Sequence, residues 1–544
     1  MREVTRGRRF TLGAKLLVAA ATLYTATSVW ATEPRQFDLA TATIADIQAA
    51  MDSGGLTAER LVQLYLNRIA AYDQQGPALN SLIAVNAEAL RVARELDRER
   101  VANGPRSLLH GIPFVAKDLV NTAGLQTTGG FIAMRGAVPA RDAHVIAKLR
   151  AAGAIVLAKT NMSDWLGRSR AGGGSSIAGQ VVNPYDLQRT VAPSSSGVGA
   201  SLAAWFAAGG IGSETGTSIR NPTTDGALVG LAPTEGLVGR SGAMANTFTH
   251  ERLGPMARST FDVAALLDHM TGIDGEDLVT AQSLTHLPTV SYTTFVDPAG
   301  LRGARIGVLR EMFRSGPRHA EGLALAEKAI LELHAAGAIV LDPVALGMDL
   351  TRTRMLKVNY WESETVLNTY FKHFGPGSPF SSVRDMIAKA PELVKPSFEE
   401  YLGYAPGGDP EYQARLRGRR ALRAAIVALL DKHELDAIVF PYKTLPAELL
   451  DGGDEAFSDP INATVRSGDR VSDSDNYLSS MTGLPGLLVP MGYTADGLPL
   501  ALEFLGRPFS EPTLLTLASG FEARTHHRRA PASTPPLAGE SFTY

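Results

Sequence analysis

The chain has 544 residues and a formal net charge of −3 at pH 7, from 52 Lys and Arg against 55 Asp and Glu. This nearly balanced charge gives no indication of nucleic-acid binding. Cysteine is absent, and this excludes a disulfide framework, a thiolate metal site and a cysteine nucleophile. The length is compatible with several domains or with one large α/β domain.

The N-terminus has the three parts of a secretory signal peptide. A basic stretch, MREVTRGRRFTLGAK, precedes a short apolar run, LLVAAATLYTATSV, and the small residues Val29 and Ala31 stand where a signal peptidase would cut. The apolar run is shorter than the ~20 residues of a spanning helix, so a membrane anchor is the weaker alternative. We therefore predict a signal peptide over residues 1–31, cleavage near Ala31, and a periplasmic or secreted mature protein without a stable membrane anchor.

Helix and strand patterns alternate along the chain. Residues 40–104 place apolar side chains at helical spacing, and the run GIPFVAKDLV then predicts a buried strand. The segment DAHVIAKLRAAGAIVLAKTNM predicts a helix, a glycine stop and a strand, and the same alternation recurs in GARIGVLREMF and EKAILELHAAGAIVLDPV. This alternation predicts an α/β fold with a largely buried sheet.

Two later segments are less regular. Residues 345–435 hold several aromatic residues, and two interpretations stay open: a helical subregion that covers the sheet, or the wall of a substrate pocket. We predict a variable pocket region there, whereas the Pro- and Ser-rich residues 528–544 predict a loose tail. The aromatic residues are Tyr360, Trp361, Tyr370, Phe371 and Phe374.

Familiar catalytic and nucleotide-binding motifs are absent from the sequence. The run Gly153–Thr160 nearly matches a P-loop, but its interior residues Ala, Ile, Val and Leu favour a strand over a phosphate-binding turn. The sequence has no HExxH pair and no G-x-S-x-G elbow, so neither a zincin nor an ordinary Ser-His-Asp hydrolase is indicated.

Three turns rich in small residues instead carry candidate reactive groups. Lys117 ends the predicted buried strand, Ser194–Ser196 precede the helical run ASLAAWFAA, and the third turn reads SETGTSIR. A serine hydroxyl needs a base to become a nucleophile, and a lysine can be that base if burial keeps it neutral. Backbone N–H groups in a turn or at a helix start can hold an oxyanion.

Four stretches carry a resemblance to the amidase signature family, and above all to its peptide-amidase-like members. They are LLHGIPFVAKDLVNTAGLQTTGG, GAIVLAKTNMSDW, NPYDLQRTVAPSSSGVGAS and GSETGTSIRNPTTDGALVGLAPTEGLVGRSG. The likeness covers most of residues 40–525. It implies a single large α/β domain over residues 32–527, with a central mixed β-sheet flanked by helices, and a hydrolase that uses no metal and no cofactor.

Matching the family motifs residue by residue implies a Ser–cis-Ser–Lys triad. The family's lysine falls on Lys117 and its nucleophile, before Ile-Arg, on Ser218. The bridging serine falls on Ser194, at the family's offset of 24 residues (218 − 194 = 24). Ser195 and Ser196 are then structural.

The resemblance also implies the reaction. Neutral Lys117 takes a proton from Ser194, Ser194 takes the proton of Ser218, and Ser218 attacks an amide carbonyl. The backbone N–H groups of Thr215, Gly216 and Thr217 form the oxyanion hole. The expected partner is a small-molecule amide or related acyl substrate, and both a monomer and a homodimer stay open.

Three alternatives remain. The same triad serves an esterase or urethanase, because an acyl-serine route suits all of these groups. The amidase-type component of an amidotransferase, which supplies ammonia to a tRNA-bound partner, is disfavoured by the signal peptide. A catalytically inactive binding protein on this scaffold is the third, because Pro193 and Thr217 stand where the family has glycine, and Thr217 would be strained if that position requires a positive φ.

Overall fold

The computed structural model describes residues 35–164, 166, 173–404, 406–450 and 476–544. The predicted signal peptide, residues 1–31, lies outside the described residues. Within these ranges, no helix is both long and apolar enough to cross a membrane.

Fifteen strands occur among the described residues. In chain order they are β1 Gln36–Asp38, β2 Leu82–Val85, β3 Pro113–Lys117, β4 Ile155–Thr160, β5 Val182–Asn183, β6 Asp186–Thr190, β7 Gly209–Glu214, β8 Val229–Ala232, β9 Arg252–Ala257, β10 Arg305–Leu309, β11 Ile339–Val344, β12 Ala437–Pro441, β13 Gly486–Tyr493, β14 Pro499–Leu505 and β15 Ser541–Thr543.

Thirteen α-helices accompany them in the same ranges. They are α1 Ile44–Asp52, α2 Ala58–Tyr72, α3 Ala89–Asn103, α4 His144–Ala151, α5 Ser196–Ala203, α6 Arg220–Asp225, α7 Thr260–Asp268, α8 Ala320–Ala335, α9 Asn359–Phe374, α10 Val383–Lys389, α11 Pro410–Lys432, α12 Leu478–Thr482 and α13 Glu511–Thr525.

A mixed sheet of 11 strands runs through the described part of the chain, in the order β11-β10-β12-β14-β13-β8-β9-β7-β3-β4-β2. Strand β3 pairs in parallel with β4 and with β7, whereas β7 pairs antiparallel with β9. Helices such as α5, α7, α8 and α13 pack against the sheet. The prediction of a single large α/β domain with a central mixed sheet is confirmed.

Strand β3 is the apolar strand that the sequence predicts before Lys117. All five of its residues are buried, because β4 and β7 pair with its two edges and α5 packs against it. The run that resembles a P-loop forms β4, which is likewise buried along its length. The sheet therefore carries Lys117 into the interior at the end of β3.

The prediction that residues 40–104 are helical throughout is wrong at one segment. Leu82–Val85 form β2, an edge strand that pairs antiparallel with β4. Its sequence, Leu-Ile-Ala-Val, is apolar and partly β-branched, so it suits a strand as well as a helix. The segment forms a strand because the edge of β4 is there to pair with it.

The prediction of a loose tail over residues 528–544 is also wrong. Strand β15 pairs antiparallel with β1, and Glu540 is 2% exposed where it accepts hydrogen bonds from the guanidinium of Arg68 at 2.9 and 3.0 Å. Arg68 also donates to the carbonyls of Thr534 and Pro535. A buried cation on α2 therefore holds a segment whose composition alone indicates disorder.

We expect Glu540→Ala to destabilise the fold by about 3 kcal/mol, because it leaves the Arg68 charge buried without its carboxylate. The midpoint of urea unfolding measures this. Glu95→Ala is the control, since Glu95 pairs with Arg91 at the surface, where both side chains are about half exposed, and should unfold like the wild type. A Glu540→Ala midpoint equal to that of the control would contradict the expectation.

Candidate active site

The end of strand β3 brings Lys117 to Ser194. Lys117 is fully buried, and its Nζ donates to Ser194 Oγ at 2.6 Å and lies 3.0 Å from Ser213 Oγ. Ser213 belongs to β7, and because β7 pairs with β3, the side chains of Ser213 and Lys117 meet. Two residues that lie 77 positions apart in sequence thus form one hydrogen-bonded pair.

The surroundings of Lys117 favour its neutral form. Burial lowers the pKa of Lys117 to about 7, while the carboxyls of Glu251 and Glu214 act in the opposite direction. A substantial fraction of Lys117 is therefore uncharged near neutral pH. An uncharged amine 2.6 Å from a hydroxyl can accept its proton.

Ser194 occupies the rim of this buried pair. It is half-buried, and the peptide bond between Pro193 and Ser194 is cis. The segment is held on both sides: Ser163 N–H donates to Ser194 O at 3.0 Å, and Ala192 N–H donates to Asp225 Oδ2 at 2.9 Å. The Ser194 hydroxyl thus lies between the buried amine and the surface.

The other two serines of the triplet point elsewhere. Both are fully buried; Ser195 Oγ donates to the carbonyl of Ser213 at 3.2 Å and accepts its N–H at 3.3 Å. Ser196 Oγ donates to Gly173 O at 2.6 Å. Although Ser195 precedes α5, its side chain makes no capping bond. These contacts give Ser195 and Ser196 structural partners.

We expect Ser195→Ala to keep most of the turnover and to lose about 1–2 kcal/mol of stability, because two backbone groups of Ser213 lose a partner. Ser194→Ala should keep its stability and lose nearly all turnover. Steady-state kinetics and thermal unfolding of the two variants measure the contrast. If Ser195→Ala were as inactive as Ser194→Ala, the assignment of the bridging serine would be wrong.

Ser218 lies in the turn between β7 and α6. It is half-buried, and its carbonyl accepts the Ser195 N–H at 3.3 Å. This bond places the turn directly beside the segment that carries Ser194. The backbone of Ser218, the predicted nucleophile, therefore lies next to the segment that carries Ser194, the predicted relay and the partner of Lys117.

Three carbonyls of this turn are fixed by buried groups. His250 Nδ1 bonds to Thr215 O, Arg220 Nη2 donates to Gly216 O, and Asn221 N–H donates to Thr217 O, each at 2.8 Å.

Fixing these carbonyls also fixes the next N–H group in each peptide. Because a trans peptide points its N–H opposite to its C=O, the N–H groups of Gly216, Thr217 and Ser218 face away from those partners. Thr217 has no positive φ, so the threonine that replaces a family glycine sits in unstrained backbone. The turn presents a row of oriented amides.

A buried ion-pair network, which the sequence reasoning missed, supports the turn. The Arg220 guanidinium contacts Glu214 Oε1 at 2.9 Å and Glu503 Oε1 at 3.1 Å, and Arg252 Nη2 contacts Glu214 Oε1 at 2.6 Å. Glu214 also accepts the N–H groups of Ile219 and Arg220. The signal was a charged residue on each side of Ser218, at positions 214 and 220.

Gly216 is required by a close approach. A Cβ there would lie 2.7 Å from Tyr477 Cε1 and 3.5 Å from Lys357 Cε. Lys357 comes from the region 345–435, so this region does reach the turn. The five aromatic side chains of this region that suggested a pocket wall are instead at most 3% exposed and pack inside the protein.

Comparison with known proteins places the chain in a family. An amidase family model matches residues 60–515. The chain is 32% identical to a probable amidase of Arabidopsis thaliana, over 91% of this chain and 92% of that protein. It is also 32% identical to the A component of the glutamyl-tRNA(Gln) amidotransferase of Myxococcus xanthus, over 88% of this chain and 96% of that protein.

Among solved structures, the native peptide amidase of Stenotrophomonas maltophilia superposes with a TM-score of 0.79 at 36% identity and covers 91% of this chain and 99% of its own. An amidase family protein of Bacillus anthracis superposes with a TM-score of 0.76 at 29% identity, over 90% of this chain and 92% of its own. The peptide-amidase-like resemblance is therefore confirmed, and the chain belongs to the amidase signature family of hydrolases.

Proposed function

We propose that this protein is an exported serine amidohydrolase that cleaves carboxamide bonds through an acyl-serine intermediate. One observation carries the proposal: the buried Nζ of Lys117 lies 2.6 Å from Ser194 Oγ, beside the turn that holds Ser218. A base that is largely unprotonated at or just above pH 7 and a relay hydroxyl are what a serine nucleophile needs when no histidine serves it.

The proposed reaction begins with two proton transfers. Neutral Lys117 accepts the proton of Ser194 Oγ, and Ser194 accepts the proton of Ser218 Oγ as Ser218 attacks the carbonyl carbon. The C–N bond then breaks, and the proton returns through Ser194 to the leaving nitrogen. Water attacks the acyl-serine by the same relay, which releases the acid and restores Ser218.

The proposed oxyanion hole is the row of amides in the turn before Ser218. The sequence points to the N–H groups of Thr215, Gly216 and Thr217. The fixed carbonyls of the turn support Gly216 and Thr217 as donors and add the N–H of Ser218. Donors that are fixed before the reaction stabilise developing charge without reorganisation.

For the substrate we propose a linear amide whose acyl part is a peptide or a peptide-like acyl group. The likeness to the peptide amidase of Stenotrophomonas maltophilia supports this choice. The alternatives of esterase and urethanase use the same proton relay: an ester loses an alcohol oxygen, and a urethane has a carbonyl that carries both an oxygen and a nitrogen. The three-part N-terminus supports export, and sequencing the N-terminus of the mature protein would test cleavage after Ala31.

The proposal is tested with a panel of matched substrates and an active-site probe. For one acyl group, kcat/KM is compared for the amide, the anilide and the ester, and a carbamate of similar size completes the panel. The protein is also labelled with a fluorophosphonate, and the adduct is located by peptide mapping. We expect an adduct on Ser218 and hydrolysis of the amide; a protein that forms no adduct and hydrolyses none of the panel would be the inactive binding protein instead.

A further inference from the structure

A buried histidine bridges the turn of Ser218 and the region 345–435. His250 is 1% exposed and lies just before strand β9. Its Nδ1 is 2.8 Å from the carbonyl of Thr215, and its Nε2 is 3.2 Å from the backbone N of Val358, which precedes α9. The ring thus uses both nitrogens on backbone groups.

These two partners determine the tautomer of His250. A carbonyl only accepts, so Nδ1 must carry the hydrogen, and the Val358 N–H only donates, so Nε2 must offer its lone pair. Burial lowers the pKa of His250 well below its ordinary range, with Arg419 acting in the same direction, which agrees with a neutral ring. His250 is therefore a fixed neutral donor to Thr215.

The hydrogen bond from His250 to Thr215 O helps to orient the turn, because the peptide that carries this carbonyl also carries the N–H of Gly216. The loop of residues 246–251 holds Thr215 by its side chain as well: Thr215 Oγ1 donates to Glu251 Oε2 at 2.5 Å and accepts from Asn246 Nδ2 at 3.0 Å. The orientation of the Gly216 N–H is thus set from this loop.

The same loop is fastened to α9. Ser363 Oγ donates to Asn246 O at 2.8 Å, and the buried carboxylate of Glu362 accepts from Thr247 Oγ1 and from Thr249 Oγ1. The region 345–435, which differs most from a regular α/β pattern, therefore contacts the turn through the loop 246–251 as well as through Lys357.

We propose that His250 is a positioning residue for the oxyanion hole, which fixes the Thr215 carbonyl so that the Gly216 N–H faces the reacting carbonyl, and which links the region 345–435 to that donor. This inference rests on the proposed function. His250 itself touches no reacting atom. It acts on the transition state through the peptide that it holds, so its loss should lower kcat and leave KM nearly unchanged.

Two substitutions separate the two bonds of the ring. The amide nitrogen of His250→Asn can take the place of Nδ1 and keep the donor to Thr215, whereas the amide of His250→Gln reaches the place of Nε2 and loses that donor. We expect His250→Gln to lower kcat by ~10- to 100-fold with KM within about threefold of wild type. Its inhibition constant for a peptide aldehyde, which forms an oxyanion on the serine, should rise in parallel. His250→Asn should keep kcat within about fivefold.

His110 provides a matched control. It is also a buried histidine whose ring bonds two backbone groups, Leu96 O at 2.9 Å and Arg106 N at 3.2 Å, but it lies before the opposite end of β3 from Lys117. His110→Gln should lower the melting temperature to a similar extent and leave kcat unchanged. If His250→Gln kept wild-type kcat, or lost only what His110→Gln loses, or affected KM alone, the inference would be overturned.

A second measurement needs no active variant. Nitrogen-15 NMR of histidine-labelled wild-type protein reports which ring nitrogen carries the hydrogen, and the signal missing from a His250 variant identifies the residue. Hydrogen on Nδ1 supports the inference, and hydrogen on Nε2 overturns it. Failure of the proposed function would differ from both results, because the wild type would then form no fluorophosphonate adduct at Ser218.

Discussion

Lys117→Met is expected to abolish turnover and to leave the folded protein at least as stable as the wild type. Methionine has nearly the length of the lysine stem and fills the same space, so packing is kept. It also removes an amine whose burial is unfavourable, as the lowered pKa of about 7 indicates. Because no other base touches Ser194 among the described residues, kcat should fall by about 10³-fold or more.

The measurements for Lys117→Met are kcat for the best amide and the thermal unfolding midpoint. Lys117→Arg is the companion variant: its guanidinium stays charged at every accessible pH, so it can donate to Ser194 and cannot accept a proton. Both variants should be inactive. A Lys117→Met enzyme that kept a tenth of the wild-type kcat would show that the base lies elsewhere.

Ser218→Ala should reduce kcat by about 10⁴-fold or more, since no covalent intermediate can form. Substrate affinity should persist, because the oriented amides and the buried ion pairs of Arg220 do not depend on the hydroxyl. Equilibrium binding of a slowly cleaved amide and labelling by a fluorophosphonate measure the two effects. Loss of labelling with retained binding is expected. Persistent labelling, mapped to Ser194 or Ser195, would instead assign the nucleophile to the other turn.

Much of the fold was readable because it is locally encoded. The apolar run before Lys117, bounded by glycine and proline, indicated a buried strand, and β3 is that strand. The helix-glycine-strand pattern before Thr160 indicated α4 and β4. Where local preference was weak, as in Leu82–Val85, a partner strand decided the outcome, and no local pattern contains that information.

The prediction of a loose tail was wrong for a related reason. Composition measures how much apolar surface a segment can bury alone, and residues 528–544 have little. Their order comes from Arg68, a residue more than 450 positions away in sequence, whose burial requires the carboxylate of Glu540. Such a pair is invisible to any reading that proceeds along the chain.

The residues of the candidate site likewise fall into two groups: those that a local motif identified, and those that only their contacts reveal. Lys117, Ser194 and Ser218 were named because each stands in a short segment with a specific family motif. His250 and Glu503 were missed because a single histidine or glutamate carries no local signal, and their importance arises only from the groups that they contact. The aromatic residues of 345–435 left two interpretations open, because residue type alone does not show where a side chain packs; in the structure these side chains pack internally.

The central claim is that a neutral Lys117 activates Ser218, and the pH dependence of fluorophosphonate inactivation tests it most directly. Inactivation reports nucleophile activation without the protonation of an amine leaving group. With a pKa of about 7 for Lys117, the second-order rate constant should fall about tenfold for each pH unit below 7 and level off above it. A rate constant that is flat from about pH 5 to 9, or that keeps rising toward the ordinary pKa of lysine, would contradict the account.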